Sequence, residues 1–123
     1  MAALREAAEK MVRKDPSLKL AVVCDLDLVR EAAQELLETP GDGHAGEIET
    51  SRMLYLHPDS VKGRSPEEFP TMPPYRVLPD PEKYWPGGVW GNPEAAEEQK
   101  GKELIERSAD ALAKIVESLV DES

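Results

Sequence analysis

The 123-residue sequence predicts the helix-rich half of a parallel-sheet α/β fold, with one clear strand and about four helices. Four segments repeat apolar residues at helical spacing, and residues 20–24 form a continuous apolar run. Such a run is typical of a strand that is covered on both faces and paired on both edges. Apart from short extended pieces such as residues 75–78, no other strand is evident. The chain, one small domain over residues 1–123, is therefore expected to be part of an α/β fold rather than a complete one.

The first half of the chain is predicted to run helix, strand, helix. The first helix covers residues 2–14 and ends before Pro16, because the residue before proline avoids the helical conformation. The strand covers residues 18–26. Asp27 can cap the second helix, and the Thr-Pro-Gly turn at residues 39–41 ends it.

The second half is predicted to contain two helices separated by a long loop. The third helix follows a turn around His44 and runs to about Leu56, where His57-Pro58 breaks it. Residues 58–93 hold nine of the eleven prolines, which predicts an ordered loop anchored by aromatic side chains. The last helix spans about residues 94–120, with one apolar stripe: Leu104, Ile105, Ser108, Leu112, Ile115, Val116 and Leu119.

Composition excludes two classes of partner. The net charge of −10 and the lack of a basic stripe argue against nucleic acid, and the same charge disfavours an anionic membrane surface. No apolar run approaches the roughly 20 residues that span a bilayer. Cys24 is the single cysteine, as expected for a small buried residue in a reducing cytoplasm.

Residues 42–51 hold the densest group of reactive side chains. If this segment is helical, His44 and Glu47 lie on one face, about 5–6 Å apart at Cβ, where they could ligate a metal or carry protons. Glu49 would then point elsewhere. A solvated helix start is the alternative, with Asp42 near the N-cap and the acids complementing the helix dipole.

Two segments resemble the creatininase (creatinine amidohydrolase) family. Residues 44–51 read His-Ala-Gly-Glu-Ile-Glu-Thr-Ser, followed by Met-Leu at 53–54 and His-Pro-Asp at 57–59. Residues 88–93 read Gly-Val-Trp-Gly-Asn-Pro and are similar to the Gly-Val-Trp-Gly-Asp-Pro block before the last helix of that family; Ala95-Ala96 and Gly101 follow. The two matches occur in the family's order, and the resemblance to its C-terminal half spans nearly the whole chain.

The resemblance implies an α/β enzyme that hydrolyses cyclic or linear amides at a divalent metal site. It matches His44 with the active-site histidine that contacts substrate and moves protons, a turn histidine being the alternative. Glu49 is placed with His44 among the candidate catalytic residues, where it would brace the site. Glu47 is the candidate metal ligand, or else a first-turn acid. Asp42 and Trp90 are the candidate substrate-binding residues, although Trp90 is also suited to anchoring the long loop.

The chain departs from the family at the metal site. The resemblance implies that most ligands come from the N-terminal half: an early Glu-x-His segment, a following Asp, and the His of a His-Gly-Gly-Asn segment. None of these occurs here, and the chain begins just past the last one. We therefore expect a fragment, a separately encoded half or the product of an internal start. Zinc, iron or manganese would belong to the complete enzyme, with no tight binding and no activity in this chain alone.

A second departure concerns the substrate and the partners. Creatininase has a tryptophan shortly before the signature histidine, whereas residues 40–43 here are Pro-Gly-Asp-Gly. A small amide or formamide is therefore expected rather than creatinine. The unpaired strand edges predict a homo-oligomer or a complementing N-terminal half. The alternative function is a non-catalytic structural or interaction subunit derived from the same family.

Overall fold

The computed structural model describes residues 1–121, and within them every side chain except those of residues 30 and 31. Over this range the chain forms five α-helices: α1 Ala2–Lys14, α2 Asp25–Leu28, α3 Arg30–Leu36, α4 Glu47–Leu56 and α5 Glu98–Asp121. Short 3-10 helices are formed at Pro58–Ser60, Pro81–Lys83 and Pro93–Ala95. Among these described helices, none has the length and apolar character needed to cross a membrane.

The predicted helices are confirmed, with three differences in where they begin or are interrupted. The second predicted helix is two helices, α2 and α3, because Val29 has non-helical φ and ψ of −108° and 5°. It also begins at Asp25, with Cys24 at the N-cap position, so that Asp27 lies within the helix rather than capping it. The last helix begins at Glu98, because residues 93–95 form a 3-10 turn and Ala96 is extended.

The predicted strand over residues 18–26 is wrong. Residues 18–24 carry no regular secondary structure, residues 25–28 are helical, and the described range 1–121 contains no strand. A strand needs a neighbour to pair its backbone N–H and C=O groups, and the described chain supplies none to this segment. Leu20 and Val23 are 41% and 40% exposed, so the apolar run is not covered as a central strand would be.

The chain forms two compact units. The first is Met1–Glu31 with Glu106–Ser123, and the second is Ala32–Ile105. Helix α1 of the first unit has no buried residue and carries the exposed ion pairs Lys10–Glu6 and Arg13–Glu9, each one helical turn apart. Val29 is the one apolar side chain of the described part of this unit that is buried.

The second unit contains a small core beneath the N-terminal end of α5. Its buried apolar side chains are Ala32, Ala33, Val89, Pro93, Ala96 and Leu104, and its buried polar ones are Thr39, Glu47, Ser51 and Lys100. Helix α4 packs against the 3-10 turns at residues 58–60 and 93–95. The long loop is held by two antiparallel backbone bridges, Glu68 with Gly91 and His44 with Trp90.

Candidate functional site

The two segments that resemble the family, residues 44–51 and 88–93, are joined by a backbone bridge. The amide N–H groups of Gly43 and His44 both donate to the carbonyl oxygen of Trp90, at 2.8 and 3.0 Å. The N–H of Trp90 donates back to the His44 carbonyl at 2.7 Å. The histidine of the first motif is therefore held directly against the tryptophan of the second.

His44 lies in the turn before α4, not on the helix. Because α4 begins at Glu47, the segment from His44 to Glu47 is not helical, and the condition under which the two side chains would share a helix face is not met. Ala45 has a positive φ of 50°, and its N–H donates to Glu49 Oε2 at 2.6 Å, which stabilises the turn. The same Oε2 lies 3.6 Å from His44 Nδ1, and 62% of the histidine side chain is exposed.

Trp85 packs against His44, although sequence reasoning gave it no role in the site. The two rings meet edge to face with centroids 5.7 Å apart, and Trp85 meets Trp90 in the same way at 6.1 Å. The indole N–H of Trp85 donates to the carbonyl of Val89 at 2.5 Å. No sequence motif marks Trp85; its place beside His44 follows from the fold of the long loop.

Asp42 caps the N-terminus of α4. Its Oδ1 accepts from the N–H of Glu47 at 2.7 Å, and its Oδ2 accepts from that of Ile48 at 3.0 Å. Gly46 and Gly91 leave room for this carboxylate, since a Cβ on either glycine would lie 1.9 Å from Oδ1. The substrate-binding role of Asp42 stays a prediction; its oxygens are engaged at the helix end.

The Glu47 carboxylate is completely buried and paired with Lys100 Nζ at 2.7 Å. It also accepts from the backbone N–H groups of Glu38, at 3.1 Å to each oxygen, and of Thr39, at 2.8 Å. Burial raises the pKa of Glu47, but the hydrogen bonds from Lys100 and these amides outweigh it, so the pKa lies below its ordinary value. Burial lowers the pKa of Lys100, but the carboxylates of Glu38 and Glu47 bring it above its ordinary value.

The described residues do not form a metal site by themselves. Among them, no group of three or more His, Cys, Asp or Glu side chains is arranged to hold a metal ion. The Glu47 oxygens face an ammonium group and two amide donors, which is the surrounding of a structural carboxylate rather than of a ligand. The metal-ligand role of Glu47 stays a prediction that this arrangement does not favour.

The remaining signature residues join α4 to α5. Ser51 is fully buried, and its Oγ accepts from the N–H of Glu97 at 3.0 Å, at the start of α5. Gly101 lies so close to α4 that a Cβ would be 1.9 Å from the Ser51 carbonyl oxygen. Ser51 is therefore a structural residue of the helix contact. His57 ends α4 as its C-cap.

Comparison with known proteins identifies the family. The family model for creatininase, described as creatinine amidohydrolase, matches residues 1–116. A solved structure described as "Creatininase Mn" is 27% identical with a TM-score of 0.74, over 92% of this chain and 48% of that one. A crystal structure of creatinine amidohydrolase is 28% identical with a TM-score of 0.71, over 90% of this chain and 47% of that one.

A mutant creatininase of the Zn–Zn type is also 28% identical with a TM-score of 0.71, over 95% of this chain and 48% of that one. A search among curated proteins finds no match. The chain spans about half the length of the creatininase structures that it matches. Because the family model matches residues 1–116, the chain belongs to the creatininase family.

Proposed function

We propose that this chain is the C-terminal part of a metal-dependent amidohydrolase that hydrolyses the C–N bond of a small amide or formamide. We further propose that it is inactive until an N-terminal half completes it. The observation that carries the proposal is the placement of His44. The signature histidine is exposed, flanked by Glu49 and Trp85, and bridged to Trp90 of the second family motif.

The surroundings of His44 suit a group that moves protons. An imidazole can accept a proton from an attacking water molecule and return it to the leaving nitrogen. Glu49 Oε2 lies 3.6 Å from Nδ1, which is an ion-pair distance rather than a hydrogen bond, and the orienting role proposed for Glu49 rests on this approach. This geometry supports a catalytic role for His44 and an orienting role for Glu49.

The aromatic side chains beside His44 suit a small planar substrate. Trp85 is half-buried and Trp90 is 39% exposed. The Trp85 ring meets the imidazole and the Trp90 ring meets Trp85, so the two indoles form one apolar surface beside His44. An amide group can lie against such a surface while its polar atoms face His44. Trp90 also packs on Gly43, where a Cβ would lie 3.2 Å from its ring, so it anchors the loop as well.

We propose that the complementing half supplies the metal. The matched structures are described as Mn and Zn–Zn creatininases, which supports a divalent ion in the complete enzyme. In this chain Glu47 is paired with Lys100, so we assign no catalytic step to a metal held by the described residues.

We propose that the N-terminal half of a creatininase fold packs against the exposed apolar side chains of the first unit. This unit exposes apolar side chains that a folded protein normally covers: Leu4, Met11, Leu18, Leu20, Val23 and Leu26. Between α1 and the residues near Leu20 lies an open groove of about 400 Å³. The matched creatininases are about twice as long as this chain, which supports an absent half as the partner. The single Cys24 supports a reducing compartment such as the cytoplasm.

Complementation tests the proposal directly. The chain alone and the chain co-expressed with the N-terminal half of a creatininase-type amidohydrolase would be assayed with zinc, manganese and iron on formamides and small cyclic amides. We expect turnover and bound metal only in the co-expressed assembly, with turnover lost when His44→Ala replaces the parent chain. Metal-dependent turnover by the chain alone would contradict the need for a partner.

One observation favours the alternative, a non-catalytic structural subunit. The carboxylate of Glu47, the predicted metal ligand, forms an ion pair with Lys100. A subunit without a catalytic function would keep such a pair only for its contribution to stability. The same experiment separates the two functions. A folded chain that stays metal-free and gains no activity with the added half would support the subunit.

A further inference from the structure

Lys100 is the polar centre of the second unit. Its Nζ donates to Glu47 Oε1 at 2.7 Å, to Glu38 Oε1 at 2.8 Å and to the carbonyl of Ala95 at 3.0 Å. These bonds use all three ammonium hydrogens, although only 11% of the side chain is exposed. The three acceptors lie just after α3, at the start of α4 and in the 3-10 turn before α5. One side chain therefore joins the two ends of the segment from residue 38 to residue 47 to the turn before α5, which lies almost fifty residues further along the chain.

The Glu47 carboxylate is paired with Lys100, and it closes the turn in which His44 lies. Glu47 is the first residue of α4, and its oxygens accept from the N–H groups of Glu38 and Thr39. Both ends of the segment from residue 39 to residue 47 are thereby tied to one carboxylate. A buried carboxylate keeps this geometry only while its cation is present, because an unpaired buried charge is strongly unfavourable.

Lys100 also holds the other side of the His44–Trp90 bridge. Ala95, whose carbonyl it binds, ends the 3-10 turn that Asn92 caps through a bond from the Glu94 N–H. Asn92 is two residues after Trp90. The lysine thus connects the segment that carries His44 with the segment that carries Trp90, at a point away from the ring contacts themselves.

We propose that Lys100 is a positioning residue for His44. By fixing Glu47 and Ala95 together, it sets the place of the imidazole relative to Trp85, Trp90 and Glu49. The catalytic consequence rests on the proposed function, whereas the structural consequence does not. A placement error of about 1 Å in a catalytic group reduces turnover about 10²-fold, so the lysine affects kcat without touching the substrate.

Two variants and one control test this role. Lys100→Met leaves the Glu47 charge buried and unpaired. The double variant Lys100→Met/Glu47→Gln removes both charges and keeps an acceptor near the Thr39 N–H. Lys10→Met is the matched control, because it removes an exposed lysine from an ion pair with Glu6.

The first readout uses the chain without any partner. Only two histidines are present, so the ring resonances of His44 can be followed by NMR with those of His57 as an internal reference. In Lys100→Met we expect the amides of Glu38 and Thr39 to exchange about 10²–10³-fold faster. In the double variant we expect thermal stability to recover while the His44 resonance stays shifted and that of His57 does not move.

The second readout uses the assembly completed by the N-terminal half. The double variant should lose about 10–10²-fold in kcat with little change in KM or metal content, and Lys10→Met should match the parent. Parent-like His44 resonances and kcat in the double variant would overturn the positioning role. If the parent assembly itself proves inactive, the proposed function fails, while the NMR measurement still decides whether Lys100 places His44.

Discussion

At the scale of single residues, the contact between α4 and α5 depends on Gly101. The Cβ of any other residue would meet the backbone of Ser51 and Arg52, at 1.9 Å from the Ser51 carbonyl oxygen. Backbone atoms cannot move aside as a flexible side chain can, so the helices would have to separate. The glycine therefore has a packing role, although it lies inside a helix where alanine is intrinsically preferred by about 1 kcal/mol.

We expect Gly101→Ala to lower the free energy of unfolding by about 1–3 kcal/mol, because overpacking outweighs the gain in helix propensity. Gly63→Ala is the matched control. Gly63 is exposed, a Cβ added to it would meet no atom within 4 Å, and its backbone does not require a positive φ. Its substitution should change stability by no more than about 0.5 kcal/mol. Chemical denaturation of both variants checks this, and equal stabilities would contradict the packing role.

His44 is the residue on which the proposed chemistry depends. In the completed assembly, His44→Ala should lower kcat by about 10²–10⁴-fold with metal still bound, the usual range for a positioned acid–base group. His57→Ala is the control, since His57 caps the C-terminal end of α4 and has no assigned chemical role. Steady-state kinetics and metal analysis of both variants test it. A fully active, metallated His44→Ala assembly would make the signature histidine structural.

At the scale of elements, the starts of α4 and α5 are joined by the Glu47–Lys100 pair. The pKa of Glu47 is below its ordinary value of 4.5, so the folded protein binds that proton less tightly than the unfolded chain does. Its contribution to stability is complete above about pH 4.5 and is lost as the pH falls through the lower pKa of the folded state. For Lys100 the pKa is above 10.5, so its contribution is complete below that pH and is lost as the pH rises through the higher folded value.

This pair predicts a specific loss of stability in acid. Between about pH 5 and pH 3 the free energy of unfolding of the parent should fall more steeply than that of Glu47→Gln, which has no proton to gain at this position. Chemical denaturation across that range measures both slopes. Other carboxylates are common to the two proteins, so the difference isolates Glu47. Identical slopes would mean that the pair does not couple to folding.

At the scale of the whole molecule, a chain of this size with so few buried apolar side chains is expected to need a partner. In the first unit the apolar residues of α1 and of the segment at residues 18–24 are largely exposed, with Leu4 at 62% and Met11 at 51%. Exposed apolar groups of this density favour association, because their burial removes apolar surface from water.

We expect Val23→Asp to weaken assembly with the N-terminal half while changing the stability of the chain itself little, because Val23 is already 40% exposed. Val77→Asp is the matched control, at a valine that is 99% exposed in the other unit. Light scattering and co-purification measure assembly for both. If the two aspartates have the same effect, the first unit is not the docking surface. A second copy of the chain in place of the added half would instead indicate a homo-oligomer.

Features that depend on near neighbours along the chain could be predicted from the amino-acid sequence alone. The bounds of α1 and α4 follow from apolar spacing, the proline at position 16 and the His-Pro break at residues 57–58, and all of these act within a turn or two of the helix. The two family motifs likewise identified the family, because each is a short contiguous segment.

The contacts between the two motifs could be seen only in the folded chain. The bridge between His44 and Trp90 and the ion pair between Glu47 and Lys100 join residues more than forty positions apart, and no local pattern encodes such pairings. The same reason explains the wrong strand. The apolar run at residues 20–24 has the side chains of a strand, but a strand exists only when a neighbour pairs with its backbone, and the described residues 1–121 supply no such neighbour.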